Sequence, residues 1–265
     1  MKKHLIIGSP IAHSLSPKIH NYWFKKNNID AIYEKNEPQL KEIKDIFQKI
    51  EEEKIFGMNV TVPFKQTVIP FIDILSPQAK KTNSVNTVCK KKGKIYGDNT
   101  DIMGFELALK DSKISLANKS ALIIGAGGVV PSIIVALENL GIRNIHISNR
   151  TKKKIESIKL SFPFVHDVDW GNIENYDLVI NATSVGLKKD DKLGIDISNI
   201  KSKKFFYDVI YNPSETNFLK DAKIHGHRVM NGESMFLYQA QKAFEIWHNI
   251  SPEIDPNLIK FLRND

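Results

Sequence analysis

Residues 121–128 are Ala121-Leu122-Ile123-Ile124-Gly125-Ala126-Gly127-Gly128, and the fold class follows from this stretch. Its apolar residues predict a buried strand, its glycines predict a tight turn, and an apolar pattern through Leu140 predicts a helix that ends at Gly141. In such a loop the first glycine allows the turn and the second lets the backbone approach a pyrophosphate at the helix N-terminus. The third position of the usual G-x-G-x-x-G/A pattern falls on Val130, which leaves less room for helix–sheet packing. The context favours a dinucleotide site over a structural turn.

The end of the next predicted strand, residues 145–148, indicates which dinucleotide binds. About 24 residues after Gly125, NAD-binding domains carry an Asp or Glu for the ribose 2′-hydroxyl. Here the sequence is Asn149-Arg150-Thr151 followed by Lys152-Lys153-Lys154, without an acid. Arg150 is one of four arginines among 38 basic residues, and a guanidinium suits a phosphate. The sequence therefore predicts a 2′-phosphate clamp and NADP, although Lys152 and Lys153 are equally compatible with a solvated basic turn.

Strand and helix patterns alternate along the whole chain. Strands are predicted at residues 4–7, 31–35, 55–62, 84–90, 94–97, 145–148, 178–180 and 205–207. Helices are predicted from Ser16-Pro17, with Ser16 as N-cap, at 40–50, after Pro63 with Lys65 inside, at 102–109 and at about 233–248. The sequence Lys91-Lys92-Gly93 would be the tip of a hairpin. This alternation predicts an α/β fold with a parallel sheet.

We expect three segments from this order of elements. An α/β substrate-binding and catalytic domain would span residues 1–101, a Rossmann-type parallel-sheet NADP domain residues 102–231, and C-terminal helices residues 232–265. The C-terminal helices would pack back on the N-terminal domain. A cleft between two α/β domains is a favoured place for a small ligand, so we expect the active site there.

Composition excludes several classes of protein. The chain has 265 residues, of which 42% are hydrophobic and 26% charged, and this is an ordinary globular composition. Cys89 stands alone, so a disulfide framework or a Cys-rich zinc site is excluded and no metal is expected. The N-terminal apolar run is too short for a signal peptide, and no run could span a bilayer. We therefore expect a cytoplasmic protein without membrane partners.

The net charge of +8 does not by itself indicate nucleic-acid binding. The lysines are scattered, and neither zinc-finger spacing nor an RNP-type aromatic motif is present. A mild positive field would instead help to attract an anionic small molecule. We expect a small-molecule substrate and no nucleic-acid partner.

Three polar clusters in the first hundred residues lie where a plain core would not need them. They are Ser14 with Ser16, Asn59 with Thr61 and Lys65, and Asn86 with Asn99-Thr100-Asp101. A polar loop is the ordinary interpretation of any one cluster, and Ser16 could simply be a helix cap. Beside a nicotinamide site, however, the three clusters together supply the short donors, acceptors and cation that a polyhydroxy acid needs.

Seven motifs resemble those of the shikimate dehydrogenase family, in its order and at its spacing. They are GSPIAHSLSP (8–17), NVTVPFK (59–65), VNT (85–87), GDNTDIMG (97–104), GAGG (125–128), NRT (149–151) and NATSVG (181–186). The resemblance runs from about residue 5 to Trp247. It implies reversible NADPH-dependent reduction of 3-dehydroshikimate to shikimate, a step of aromatic amino-acid biosynthesis.

The resemblance also implies roles for individual residues. Lys65 and Asp101 would be the catalytic pair. The substrate would be contacted by Ser14, Ser16, Thr61, Asn86, Tyr211 and Gln239. The cofactor would be lined by Gly125, Ala126, Gly127, Gly128, Val129, Asn149, Arg150, Thr151, Lys152, Lys153, Lys154, Val209 and Gly232. The cofactor carries the hydride. A lysine is a cation at neutral pH, so Lys65 can protonate the new alkoxide while Asp101 holds Lys65 in place, and the sequence does not decide which of the two carries the proton.

The chain departs from the family at two loops. Val129-Val130-Pro131 stands where small residues and a basic residue are common, although a proline is tolerated in the first turn of a helix. Asn83 stands where glycine is frequent, and asparagine tolerates a left-handed backbone.

Two other functions stay open on the sequence. One is a quinate/shikimate dehydrogenase that uses NAD, and the other is a non-catalytic NADP-binding regulator. The assembly would be a monomer or a homodimer.

Overall fold

The computed structural model describes residues 1–173, 176–200 and 202–263. The chain divides into two compact units. The first unit comprises Met1–Gly104 and the segment from Leu237 onward, and the second comprises Phe105–Phe236. Of the helices in the described part of the chain, none combines the length and apolar character that a bilayer-spanning helix requires.

A mixed six-stranded sheet forms the centre of the first unit. Its strands are β1 (Lys2–Ile7), β2 (Ala31–Asn36), β3 (Gly57–Val60), β4 (Ile74–Leu75), β5 (Thr87–Lys91) and β6 (Lys94–Asp98). Their order across the sheet is β2-β1-β3-β5-β6-β4. Strand β1 is parallel to β2 and β3, β5 is antiparallel to β3 and β6, and β4 is parallel to β6.

A fully parallel six-stranded sheet forms the centre of the second unit, as the sequence predicts. Its strands are β7 (Ser120–Ile124), β8 (Asn144–Ser148), β9 (His166–Val168), β10 (Leu178–Asn181), β11 (Phe205–Asp208) and β12 (Arg228–Met230). The order is β12-β11-β10-β7-β8-β9, so the chain leaves β7 towards one edge and returns to β10 on the other side. In such sheets ligands bind at this switch point, outside the carboxyl ends of the strands.

The α-helices alternate with the strands along the chain. They are α1 (Ser16–Lys26), α2 (Ile43–Glu51), α3 (Pro77–Thr82), α4 (Asp101–Asp111), α5 (Val130–Asn139), α6 (Lys152–Ser161), α7 (Asn217–Ile224), α8 (Glu233–His248) and α9 (Pro256–Arg263). Short 3-10 helices occur at Leu40–Glu42 and Ile69–Phe71. The α/β fold class is thereby confirmed.

The two faces of β1 bury different side chains. Leu5 and Ile7 belong to an apolar core with Ile46 and Phe47 of α2. On the opposite face, His4 lies among aromatic rings, with its centroid 4.9 Å from Phe24 of α1 and 5.1 Å from Trp247 of α8. The alternation of a strand thus gives one aliphatic and one aromatic layer.

Two turns that the sequence predicts are present. The β5–β6 hairpin pairs Lys91 with Lys94, so its tip is the two residues Lys92 and Gly93, with φ of +49° and +77°. These left-handed values are those of the two-residue turn that fits the twist of paired strands. Asn83 has φ +46° and ψ +43°, so asparagine does replace glycine at the end of α3.

Several local predictions were wrong. Lys65 lies in a turn and not in a helix, because its carbonyl oxygen accepts from the Val85 N–H at 2.9 Å. Ser16 is the first residue of α1 and not its cap, since Leu15 occupies the cap position. Strand β3 ends at Val60, opposite the last residue of β1, so the predicted strand is two residues too long at this end, although the Thr61 N–H still donates to the Ile7 carbonyl oxygen at 2.9 Å. The short edge strands β4, β9 and β12 and the short helix α3 were not predicted.

Candidate active site

Lys65 and Asp101 form a buried ion pair in the first unit. Lys65 lies in the turn after β3, and Asp101 begins α4, shortly after β6. Lys65 Nζ donates to Asp101 Oδ2 at 2.5 Å, and the two residues are 9% and 6% exposed. A buried pair of this kind contributes little to stability, because the loss of hydration offsets the attraction. The pair is therefore a candidate for proton transfer.

The Asn86 carboxamide holds the other oxygen of Asp101. Asn86 precedes β5, and its backbone is fixed by Val60 N–H, which donates to its carbonyl, and by its own N–H, which donates to the Asp98 carbonyl. Its Nδ2 donates to Asp101 Oδ1 at 2.8 Å. Both carboxylate oxygens therefore accept a hydrogen bond, one from Lys65 and one from Asn86. The structure brings these three predicted site residues together.

The backbone of Asp101 is fixed by a neighbour that the sequence did not single out for this role. Asn99 Oδ1 accepts from the Asp101 N–H at 3.1 Å. The Asn99 Nδ2 donates to Thr82 Oγ1 and to the Ser84 carbonyl, each at 3.0 Å. Asn99 thus joins the start of α4 to the loop before β5. The polar run 98–101 was the signal for this residue, although the partners of its side chain could not be read from it.

The remaining predicted substrate residues lie at several places in the fold. Ser14 is buried at the start of α1, where its Oγ donates to Ser16 Oγ and accepts from Ser16 N–H, both at 3.2 Å. Thr61 is half-buried directly after β3, and Gln239 is half-buried on α8. These four residues belong to the first unit. Tyr211 belongs to the second unit, where its ring stacks on Phe236 at 4.4 Å.

The glycine loop fits a phosphate-bearing cofactor. Gly125 has φ +112°, and a Cβ there would lie 2.9 Å from Thr183 Cγ2 and 3.0 Å from the Ala182 carbonyl oxygen. Only glycine fits this close approach between the ends of β7 and β10. Gly127 and Gly128 are exposed, and their backbone is open to a ligand.

The helix that follows this loop begins directly after the glycines, so its positive end faces the loop. Val129 is the N-cap of α5 and provides no side-chain cap, while the Val130 N–H donates to the Gly127 carbonyl oxygen at 3.0 Å. The positive end of a helix dipole favours a phosphate. Pro131 lies in the first turn, where its missing N–H does no harm, as predicted. Val130 is fully buried.

The predicted clamp residues lie after β8. Asn149 is half-buried, and its Nδ2 donates to the Thr151 carbonyl at 2.9 Å. Arg150 is exposed, with its Cζ 5.9 Å from the Trp170 ring centroid. Thr151, Lys152, Lys153 and Lys154 are exposed. The Lys152–Asp169 ion pair, at 3.5 Å between exposed side chains, holds Lys152 only weakly. The cluster is therefore a positive surface that can meet an anion.

Val209 and Gly232 meet beside the end of β11. A Cβ at Gly232 would lie 2.1 Å from the Val209 carbonyl oxygen, so this position also requires glycine. The neighbouring Asp208 is fully buried and accepts from Thr216 Oγ1 at 2.6 Å and from Asn181 Nδ2 at 3.0 Å. Burial raises the pKa of Asp208 to about 6. Nothing in the sequence indicated Asp208, whereas Asn181 belongs to one of the quoted motifs.

A metal centre does not appear in the part of the chain that the structure describes: it has no group of three or more His, Cys, Asp or Glu side chains placed to hold an ion.

Two family models match the chain. Residues 6–88 match a model described as the shikimate dehydrogenase substrate binding domain, and residues 106–209 match one described as shikimate / quinate 5-dehydrogenase. Among curated proteins, the shikimate dehydrogenase (NADP(+)) of Pelagibacter ubique is 54% identical over 261 residues, which cover 98% of each chain.

Solved structures agree in fold over the whole chain. A shikimate dehydrogenase from Aquifex aeolicus is 34% identical with a TM-score of 0.90, over 100% of this chain and 98% of that chain. The shikimate 5-dehydrogenase from Thermus thermophilus, in complex with NADP(H) and shikimate, is 30% identical with a TM-score of 0.88, over 99% of each chain.

Proposed function

The chain belongs to the shikimate dehydrogenase family, and from this premise we propose that Lys65 and Asp101 are its catalytic pair. The protein is an NADP-dependent oxidoreductase that acts on a CH–OH group. It interconverts shikimate and 3-dehydroshikimate in the pathway to chorismate and the aromatic amino acids. The buried contact between Lys65 Nζ and Asp101 Oδ2 is the observation that carries the assignment of the pair.

Lys65 supplies the proton. When bound, NADPH supplies the hydride that reduces the ketone. The new alkoxide then needs a proton, and the Lys65 ammonium donates it and stabilises the negative charge as it develops. Asp101 keeps Lys65 in position through Oδ2 at 2.5 Å. In the oxidation of shikimate the pair accepts the proton from the substrate hydroxyl.

Short polar side chains would hold the substrate. Ser14, Ser16, Thr61 and Asn86 offer hydroxyl and amide groups for a carboxylate and several hydroxyls, and all four belong to the first unit. Gln239 of α8 and Tyr211 would complete the set. We assign substrate binding mainly to the first unit on this basis.

The second unit would hold NADP. The open loop Gly125–Val129 and the N-terminus of α5 would bind the pyrophosphate. Asn149, Arg150, Thr151 and Lys152 to Lys154 would surround the 2′-phosphate, because they form a basic surface without an acid at the end of β8. Val209 and Gly232 would line the nicotinamide end.

Location and assembly are part of the same proposal. We place the enzyme in the cytoplasm, since its single cysteine, Cys89, is unpaired and buried. The assembly would be a monomer or a homodimer, without nucleic-acid or membrane partners. Analytical ultracentrifugation distinguishes the two assemblies.

A spectrophotometric assay at the nicotinamide absorbance tests the function. Shikimate and quinate are each offered with NADP and with NAD. We expect rapid reduction of NADP with shikimate and much slower rates for the other three pairs. Equal rates with NAD would favour the quinate/shikimate dehydrogenase alternative, and no rate with either acid would favour a non-catalytic regulator.

A further inference from the structure

A buried chain of hydrogen bonds leads from the interior of the first unit to Asp101. Tyr33 O–H donates to Asn59 Oδ1 at 2.7 Å, Asn59 Nδ2 donates to Thr87 Oγ1 at 3.1 Å, and Thr87 Oγ1 donates to Asn86 Oδ1 at 3.0 Å. Asn86 Nδ2 then donates to Asp101 Oδ1 at 2.8 Å. The first four residues are at most 6% exposed. The carboxylate is therefore supported by side chains that solvent does not reach.

Two backbone groups fix the direction of this chain. The backbone carbonyl of Asn86 can only accept a hydrogen bond, and Asn59 Nδ2 lies 3.0 Å from it. The nitrogen of the Asn59 carboxamide must therefore face this carbonyl. The Thr100 N–H can only donate, and it lies 2.8 Å from Asn86 Oδ1. The oxygen of the Asn86 carboxamide therefore faces Thr100, and its nitrogen faces Asp101.

The two threonines complete the environment of the Asn86 carboxamide. Thr87 Oγ1 accepts from Asn59, so its single proton goes to Asn86 Oδ1 at 3.0 Å in preference to Thr100 Oγ1 at 3.4 Å. Thr100 Oγ1 accepts the second N–H of Asn86 at 3.0 Å. Both the oxygen and the nitrogen of the Asn86 carboxamide are thereby held. A flipped carboxamide would place its oxygen against the Asp101 carboxylate, where two acceptors would repel each other.

We propose that Thr87 and Thr100 are positioning residues for the reaction. They hold the Asn86 carboxamide in the orientation that fixes Asp101 Oδ1, so that Asp101 Oδ2 stays aimed at Lys65 Nζ. Neither threonine transfers a proton to the substrate. The inference rests on the proposed function, because it assigns to both residues an effect on the Lys65–Asp101 pair.

Replacement of Thr87 tests the inference. Thr87→Val keeps the shape of the side chain and removes the hydroxyl, whereas Thr87→Ser keeps the hydroxyl. We expect Thr87→Val to lower kcat for shikimate oxidation about tenfold, less than the roughly 10²-fold that a misplacement of about 1 Å can cost. The KM for NADP should stay within about twofold, and Thr87→Ser should recover most of kcat. Thr100→Val should lower kcat in the same way, and this variant replaces Thr87→Val as the test if Thr87→Val does not fold.

Thr216→Val is the matched control. Thr216 is as buried as the two threonines, and its hydroxyl also donates to a buried side chain, but it belongs to the second unit. The Thr216→Val variant should have a lower melting temperature than the wild type and a kcat within about twofold of the wild-type value. The inference is overturned if Thr87→Val keeps the kcat of the wild type, or if Thr87→Ser is as slow as Thr87→Val, because packing of the methyl group would then be the cause. A wild type without shikimate activity overturns the proposed function as well, whereas an active wild type with an unaffected Thr87→Val overturns this inference alone.

Discussion

Acid should destabilise the first unit through a histidine that is buried without a charge partner. His4 is fully buried on β1, with its ring among Phe24, Trp247 and His248, and neither ring nitrogen has a hydrogen-bond partner among the described residues. Burial is the main cause that lowers the pKa of His4 from 6.5 to about 3, and the positive charges of His248 and Lys2 add to it. The folded protein therefore keeps His4 neutral where an unfolded chain would protonate it.

The sign and size of the effect follow from linkage. Below pH 6.5 the unfolded state binds a proton at His4 that the folded state does not bind until about pH 3. The free energy of unfolding therefore falls by about 1.4 kcal/mol for each pH unit below 6.5. At about pH 5 the loss from His4 alone is about 2 kcal/mol. The pKa of His20 is also lowered by burial, so its contribution has the same sign.

Urea unfolding at several pH values measures this loss. Trp23 and Trp247 lie in the same aromatic layer as His4, so the fluorescence of two of the three tryptophans reports on this part of the first unit. We compare the wild type with His4→Leu, which removes the titrating group. Between pH 6.5 and about 5 the wild type should lose about 2 kcal/mol more than the variant, whereas above pH 7 the two curves should run parallel. Parallel curves over the whole pH range would show that protonation of His4 is not the cause of the loss in stability.

Two further predictions concern the second unit. Arg150→Ala should raise the KM for NADP about tenfold or more, since a charge-assisted hydrogen bond contributes about 1.5–3 kcal/mol, and it should leave the KM for NAD unchanged. The effect on NADP should shrink as the salt concentration rises. An equal loss with both cofactors would show that Arg150 has a structural role. Lys154→Ala should add to the loss if Lys154 compensates for Arg150. Gly232→Ala should lower stability by about 1–3 kcal/mol in thermal unfolding, because its Cβ would lie 2.1 Å from the Val209 carbonyl oxygen, and an unchanged melting temperature would contradict this close approach.

Strong local patterns were sufficient to predict most of the fold. The apolar run of β7 with its glycines predicted the strand, the tight turn and the helix that follows, and Asn83 could be predicted to be left-handed from its residue type. The edge strands β9 and β12 were not predicted, because they are short and carry polar residues. The position of Lys65 in a turn depends on a hydrogen bond from Val85, a contact that no local pattern encodes.

The candidate site could be predicted only as clusters of polar residues and by family resemblance. Lys65 and Asp101 are separated by 36 positions, so their contact depends on how the sheet brings the ends of β3 and β6 together. Asn86, Asn99 and Thr100 stood in the polar clusters, although their hydrogen-bond partners required the structure. Tyr33 carried no signal, since a tyrosine in a strand is ordinary.

Proton transfer by Lys65 is tested most directly by the steady-state kinetics of Lys65→Ala, with a parallel titration of NADPH binding. We expect kcat to fall on the order of 10²-fold or more, because acid–base groups contribute about 10²–10⁴, while the dissociation constant of NADPH changes by less than about twofold. Lys94→Ala, at the exposed start of β6, is the matched lysine control and should keep the kcat of the wild type. A Lys65→Ala enzyme with near-normal kcat would show that Lys65 does not transfer the proton.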